Sequence, residues 1–298
     1  MVRCIKQITG IYSEMTLNLA LAQLNTQLGN VAANLEKHLT FIRDARQNGS
    51  DLIIFPELSL TGYTLQDLVP SVAISPREDN PVFRQLISES REIDVVVGFV
   101  NEDSRHRFFI SAAYLSKGEI IHIHNKVYLP SYGIFDEKRF LAPGERFRAF
   151  DTRWGRAGIL ICEDFWHASS PYLLWQDGAD ILLMTSASPG RGVTDEQLGS
   201  AKWVETINQT YAGLFTCFVA HTNRVGFEDG LNFWGGSTVF DPDGKLIVKA
   251  PNDVETVTYA SLDLAQLRRT RSRLPLLRDE QPELVLRELE RIMRNERN

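Results

Sequence analysis

Gly158-Ile159-Leu160-Ile161-Cys162-Glu163-Asp164-Phe165-Trp166 opens as a short apolar run and breaks off in a cysteine followed by two carboxylates. A run of this length reads as a buried strand, and the mouth of such a strand is where α/β enzymes present a nucleophile. Outward from it, residues 171–178 are helical in pattern and residues 180–184 form a second apolar run, so strand, helix and strand follow in series. The same series is legible nearer the N-terminus. Residues 17–22 form a strand, and Asn30 caps a helix whose apolar positions Val31, Leu35, Leu39 and Ile42 share one face. Gly49 stops that helix, and Asp51-Leu52-Ile53-Ile54-Phe55 is the next buried strand.

The pattern continues with a helix over 82–93, a strand over 95–100, and a hairpin whose arms, 108–115 and 119–124, flank Ser116-Lys117-Gly118. A longer helix is expected over 195–212 and a strand over 214–220. Two further strands, 236–240 and 245–248, meet across Asp241-Pro242-Asp243-Gly244, which carries strong turn chemistry. Mixed βαβ units and hairpins predict an α/β layered sandwich with helices outside the sheets. No Pro/Gly/Ser-rich linker interrupts the series, which predicts a single domain over residues 15–284. Residues 1–14 show no period and read as an N-terminal extension, and residues 285–298 read as a C-terminal helical tail. Five arginines between 268 and 278 read as a solvated, charged face.

Composition narrows the chemistry. The chain has 298 residues, 43% hydrophobic and 23% charged, with a net charge of -6, which exerts no long-range pull on nucleic acid or on an anionic membrane. Three cysteines without regular spacing argue against a disulfide framework and fit a reducing, cytoplasmic setting. Neither a signal peptide nor an apolar stretch of spanning length is present in the sequence, so no membrane partner is expected. Small-molecule chemistry is the class left.

Three segments place a reactive side chain just after a strand-like run: Glu57, Lys126 and Cys162. In an open α/β sheet, side chains at the carboxyl ends of neighbouring strands converge in a crevice. A thiol is a poor nucleophile until a base takes its proton or a cation stabilises the thiolate, and Glu57 and Lys126 supply those two functions. Lys126 and the Glu163 backbone N–H are candidate donors to a tetrahedral oxyanion. Each residue also has a plainer reading: Cys162 as a core residue, Glu57 as a turn residue, Lys126 as an edge-strand charge. His122 and His124 alternate on one strand face, but no third ligand is near in sequence, so no metal is expected. Cys217 reads as packing, Cys4 as an exposed residue of the extension, and Gly235-Gly236 as a bend or close backbone approach. Tyr63, Tyr132, Phe135, Phe165 and Trp166 are candidate pocket walls. Arg191 is the candidate cation for a substrate carboxylate.

Phe55-Pro56-Glu57-Leu58-Ser59-Leu60-Thr61-Gly62-Tyr63, Asn125-Lys126-Val127-Tyr128-Leu129-Pro130 and Ile161-Cys162-Glu163-Asp164-Phe165-Trp166 resemble, in order and separation, the three signature segments of the nitrilase superfamily, the carbon–nitrogen hydrolases. The resemblance extends from about Leu17 to Leu284. It implies a four-layer αββα sandwich and an amidase that works without a cofactor, with Glu57 as general base, Lys126 stabilising the tetrahedral intermediate and Cys162 as nucleophile. Glu137 matches a second glutamate that positions the lysine and the substrate. Within the superfamily, Leu60-Thr61-Gly62-Tyr63, Tyr132-Gly133-Ile134-Phe135-Asp136-Glu137 and Ser186-Ala187-Ser188-Pro189 look like the glutaminase domain of glutamine-dependent NAD synthetases. Tyr63, Tyr132, Glu163, Phe165, Trp166, Ser186 and Arg191 are accordingly the candidate substrate-binding residues. Two features depart from that branch. The sequence contains no Ser-Gly-Gly-x-Asp-Ser pyrophosphatase loop, and Gly190-Arg191-Gly192-Val193 stands where the branch has Gly-Lys. The expected partners are therefore a small amide, a second copy of the chain in a homodimer or larger homo-oligomer, and an ammonia-accepting synthetase carried on a separate chain.

Overall fold

The computed structural model describes residues 15–194 and 197–295; the extension expected at 1–14 lies outside them. In chain order the first half holds β1 (Thr16–Gln23), α1 (Val31–Gln47), β2 (Leu52–Ile54), α2 (Val69–Val72), α3 (Pro81–Glu89), β3 (Asp94–Glu102), β4 (Phe108–Ser116) and β5 (Glu119–Asn125). Then come β6 (Phe150–Thr152), β7 (Gly155–Ile161), α4 (Ser169–Gln176), β8 (Ile181–Ser186), β9 (Val193–Thr194), β10 (Gln197–Leu198) and α5 (Gly199–Phe215). The last part holds β11 (Phe218–Asn223), β12 (Val225–Glu228), β13 (Leu231–Trp234), β14 (Thr238–Phe240), β15 (Leu246–Lys249) and β16 (Thr256–Asp263). Three helices follow: α6 (Ala265–Arg273), α7 (Leu276–Asp279) and α8 (Pro282–Asn295).

Two six-stranded sheets form, in the orders β16-β1-β2-β3-β4-β5 and β15-β14-β11-β8-β7-β6. Successive side chains on a strand point to opposite faces, and here both faces are buried. On β1, Leu17, Leu19 and Leu21 enter the layer between the sheets, where they join Ile159, Ile161, Ile181 and Leu183 of the second sheet. Ala20 and Ala22 face the other way and pack with Leu35, Leu39, Phe83 and Leu86 of α1 and α3. Leu160, Leu182 and Met184 likewise pack outward, against Leu174 and Trp175 of α4 and Val204 and Phe215 of α5. Three apolar layers between four layers of structure make an αββα sandwich.

The predicted start of α1 is present: the Asn30 side chain accepts from the Ala33 N–H. The Ser116-Lys117-Gly118 hairpin forms with positive φ at Lys117 and Gly118, as a tight turn of this hand requires. Gly235 and Gly236 both have positive φ, in keeping with the expected bend. Three expectations need correction. The helix expected over 195–212 runs instead over Gly199–Phe215, because Tyr211, Ala212 and Phe215 continue its buried stripe. The strand expected at 214–220 therefore begins only at Phe218, after Thr216 has closed the helix in the left-handed region. The arginines between 268 and 278 are not simply a solvated face. Arg271 reaches back to Asp180 at 2.6 Å and to the Thr216 carbonyl at 3.1 Å, latching α6 onto the second sheet.

His38 ties α1 to the segment that follows β2. Its ring nitrogens sit 2.6 Å from the Asn34 carbonyl and 2.9 Å from Ser59 Oγ, and its ring lies 4.1 Å from that of Phe55. Gly98 of β3 backs the same segment: a Cβ there would stand 2.6 Å from the Leu58 nitrogen, so only glycine lets Pro56–Leu58 pack so close. Glu57 lies in the middle of that segment.

Candidate active site

Glu57 follows β2, Lys126 follows β5 and Cys162 follows β7, so two of the three come from the first sheet and one from the second. Lys126 is fully buried, with Nζ 2.8 Å from Glu57 Oε1 and 2.8 Å from Glu137 Oε1. Glu57 Oε2 accepts the Ala187 backbone N–H at 2.8 Å from across the inter-sheet layer. Glu137 Oε1 also accepts from the Tyr63 hydroxyl at 2.7 Å, while its Oε2 is buried without a partner among the described residues. Burial alone lowers the pKa of Lys126, but the Glu137 and Glu57 carboxylates outweigh it and hold the ammonium charged, well above its ordinary value. The Cys162 thiol is pushed well up, by burial first and by the Glu57 carboxylate next, with Lys126 opposing. A resting thiol beside a carboxylate is the arrangement in which that carboxylate takes the proton as the thiol attacks.

Cys162 sits at φ +46°, in the left-handed region, where the strand ends and a short 3-10 turn begins. A non-glycine residue there costs about 1–2 kcal/mol, so the surroundings must hold it. Asp164 does so. Fully buried, it accepts from the Ile161 N–H at 3.1 Å and from His124 Nε2 at 2.8 Å through Oδ2, and from the Val127 and Tyr128 N–H groups at 2.9 and 3.0 Å through Oδ1. One carboxylate thus braces the cysteine turn and the backbone that follows Lys126. Asp164→Asn turns an amide NH2 onto donors and is expected to cost on the order of 3 kcal/mol in denaturant unfolding, with a loss of turnover. Unchanged stability would refute this role.

The remaining candidates divide. Tyr63 holds Glu137, and its own backbone N–H and that of Thr64 donate to Glu228 Oε1 at 2.8 and 2.7 Å. Glu228 is in turn paired at 2.8 Å with buried Arg224. The Tyr132 hydroxyl donates to Glu163 at 2.9 Å, and its ring meets Phe135 edge-on. Arg191 lies over the other partner of that contact, 4.7 Å from the Phe135 centroid. Tyr132, Glu163, Phe135 and Arg191 therefore form one cluster. Phe165 and Ser186 do not join it, which corrects the expectation. Phe165 is buried on the helix side of the second sheet, with Leu160, Leu174 and Trp175. The Ser186 hydroxyl is also buried, held between His221 Nε2 and Asn223 Oδ1 at 2.7 and 2.9 Å. Trp166 is partly exposed and takes part in none of the ring contacts around Tyr132 and Phe135. His124 serves Asp164 and His122 stacks on Phe150; among the described residues no group of three side chains is placed to hold a metal. Cys217 packs in the outer core, as expected.

Asp164 and Glu228 were not singled out in the sequence. A carboxylate two residues after the cysteine, inside an otherwise apolar stretch, was the available signal for Asp164. For Glu228 it was the four-residue spacing from Arg224.

Burial pushes the Glu137 carboxyl up to about 7, against the pull of Lys126, and it pushes His38 down to about 4 and His221 to about 3. The signs oppose. A raised carboxyl contributes stability as pH falls through 7 towards its unfolded value, while the depressed histidines bind their proton only in the unfolded chain below about 6.5 and remove stability as pH falls. With His122, also lowered to about 4, three histidines against one carboxyl leave a net loss on the order of 2–3 kcal/mol per pH unit between about 6 and 4.5. Thermal unfolding across that range checks it; a melting temperature flat or rising towards pH 4.5 would contradict it.

The chain matches the carbon–nitrogen hydrolase family over residues 18–272 and belongs to it. A glutamine-dependent NAD(+) synthetase of Acinetobacter baylyi is 32% identical over 254 residues, a match covering 85% of this chain and 45% of that protein. The structure of the Acinetobacter baumannii glutamine-dependent NAD+ synthetase superposes with a TM-score of 0.74 at 30% identity, covering 85% of this chain and 47% of that one. The chain thus spans about half the length of these relatives. A carbon-nitrogen hydrolase of Helicobacter pylori superposes with a TM-score of 0.81 at 21% identity over 92% of this chain and 99% of that one, a likeness of fold.

Proposed function

We propose that the chain is an amidase that hydrolyses a small linear carboxamide to acid and ammonia through a thioester on Cys162. The observation that carries the reading is the Lys126 ammonium held at 2.8 Å by two buried carboxylates, Glu57 and Glu137, whose charges also act on the Cys162 thiol. Glu57 takes the thiol proton as sulfur attacks the amide carbonyl. Lys126 and the Glu163 N–H receive the oxyanion. Glu57 then returns its proton to the departing nitrogen, ammonia leaves, and the same carboxylate takes a proton from the water that cleaves the thioester. The unpartnered Glu137 Oε2 accepts an N–H of the substrate amide. The reaction draws on no metal or cofactor.

An ammonia-release screen over glutamine, asparagine, other ω-amides, carbamoyl amines and nitriles tests this. Turnover of linear amides is expected. Turnover of nitriles or carbamoyl amines alone would overturn it.

A second reading, that the chain is a glutaminase-like subunit passing ammonia to a separate NAD synthetase, is favoured by the relatives that share 85% of its length. The cluster of Tyr132, Glu163 and Arg191 suits it, since a phenol, a carboxylate and a guanidinium can recognise the charged end of an amino acid. This reading requires glutamine to be preferred in the screen and turnover to rise when an ammonia-dependent synthetase is added. In either case a homo-oligomer is expected; a monomer by light scattering would refute that part.

A further inference from the structure

Beside β5, at the edge of the first sheet, residues 143–148 border an open cavity of about 400 Å³. His122, His124, Arg107, Arg146 and Arg148 are among the residues that line it. We propose that this cavity binds a small oligophosphate, a ligand carrying several negative charges on linked phosphates.

The chain as a whole carries -6, so three guanidiniums around one cavity are a local departure from its background charge. Arg107 is paired with Asp103 at 2.8 Å and reaches Glu145, the one acidic residue of the lining, at 4.0 Å. Among the described residues, Arg146 and Arg148 have no such partner. They alternate along the loop with Phe147, whose ring turns inward to stack with those of His124 and Tyr128. Burial keeps His122 neutral, its pKa lowered to about 4, so the positive charge is that of the guanidiniums, the groups whose planar forks match phosphate oxygens two at a time. The volume exceeds what one phosphate fills and lies in the range of small-molecule sites.

The same loop is fastened to the catalytic centre. The Gly144 N–H donates to the Lys126 carbonyl at 2.7 Å, and a Cβ on Gly144 would stand 2.8 Å from the Asn125 carbonyl carbon, so the loop lies directly on the strand end that carries the lysine. His124, in the lining, reaches Asp164 at 2.8 Å. A ligand drawing Arg146 and Arg148 together would tighten the backbone on either side of Lys126.

Calorimetry of the full chain with inorganic tripolyphosphate and with ATP, at constant ionic strength, tests this without reference to turnover, so it stands whichever amide the cleft accepts. One saturable site is expected, weakened about tenfold by each of R146A and R148A, with basal ammonia release unchanged in both variants. Bound ligand should also slow hydrogen exchange at the Lys126, Val127 and Tyr128 amides. No saturable binding, binding that survives R146A/R148A, or equal affinity for hexaglutamate would overturn the oligophosphate site. Exchange at those amides unmoved by saturating ligand would overturn its link to the lysine.

Discussion

Cys162→Ala is expected to lower ammonia release on the order of a million-fold, the scale on which loss of the nucleophile acts when it works as a unit with its base. The fold should survive. The thiol is buried within an inter-sheet layer built mainly from leucine, isoleucine and valine, and the turn around it is held by Asp164 through backbone donors that the substitution leaves in place. Removing one sulfur costs on the order of 1 kcal/mol, a shift of a few degrees in melting temperature. Turnover within about tenfold of the parent would show that a different group attacks, and the assignment of Cys162 would fall. Intact mass after mixing with a slow amide gives the complementary result: an acyl adduct on the parent chain and none on the variant.

Lys126→Met should damage both activity and stability, for one reason. The ammonium is the cation between Glu57 and Glu137, and an apolar side chain of similar length leaves two buried carboxylates facing each other. Breaking a buried ion pair from one side costs about 3–5 kcal/mol, and loss of an oxyanion donor lowers turnover about a hundred- to a thousand-fold. Lys126→Met/Glu137→Gln separates the two effects. Removing the second charge should restore part of the stability but none of the turnover. A Lys126→Met chain as stable as the parent would mean that the carboxylates are already neutral, and the charge arrangement proposed for the site would be wrong.

The layered α/β fold was legible because the alternation of strands and helices is written in hydrophobic period: Leu19 to Ala22, Leu52 to Ile54 and Gly158 to Ile161 are short, continuous and apolar, as strands buried on both faces must be. Lys126, Glu57 and Glu137 were legible through the resemblance. What escaped the sequence was direction. Ser186 stands on a strand, which sends neighbouring side chains to opposite faces, and a one-residue difference put it on the helix side; Phe165 lies in the 3-10 turn after Cys162, whose path no period in the sequence records. The boundary between α5 and β11 escaped for a related reason. The run from Leu214 to Ala220, apolar but for Thr216, carries no clear mark of where period 3.6 gives way to period 2, and the left-handed turn at Thr216 lacks the glycine that usually announces one. Asp164 and Glu228 escaped because buried carboxylates that organise backbone N–H groups look, in sequence, like any surface acid.

The division of the site between the sheets has a further consequence. Glu57 and Lys126 ride on one sheet; Cys162, and the Ala187 N–H that steadies Glu57, ride on the other. Neither sheet carries the whole of the proposed catalytic set, so on that reading an expanded state that kept all its strands and helices but let the sheets slip apart would be chemically silent. On the proposed mechanism, a partly folded chain could neither acylate itself nor release ammonia until the two sheets have closed on each other.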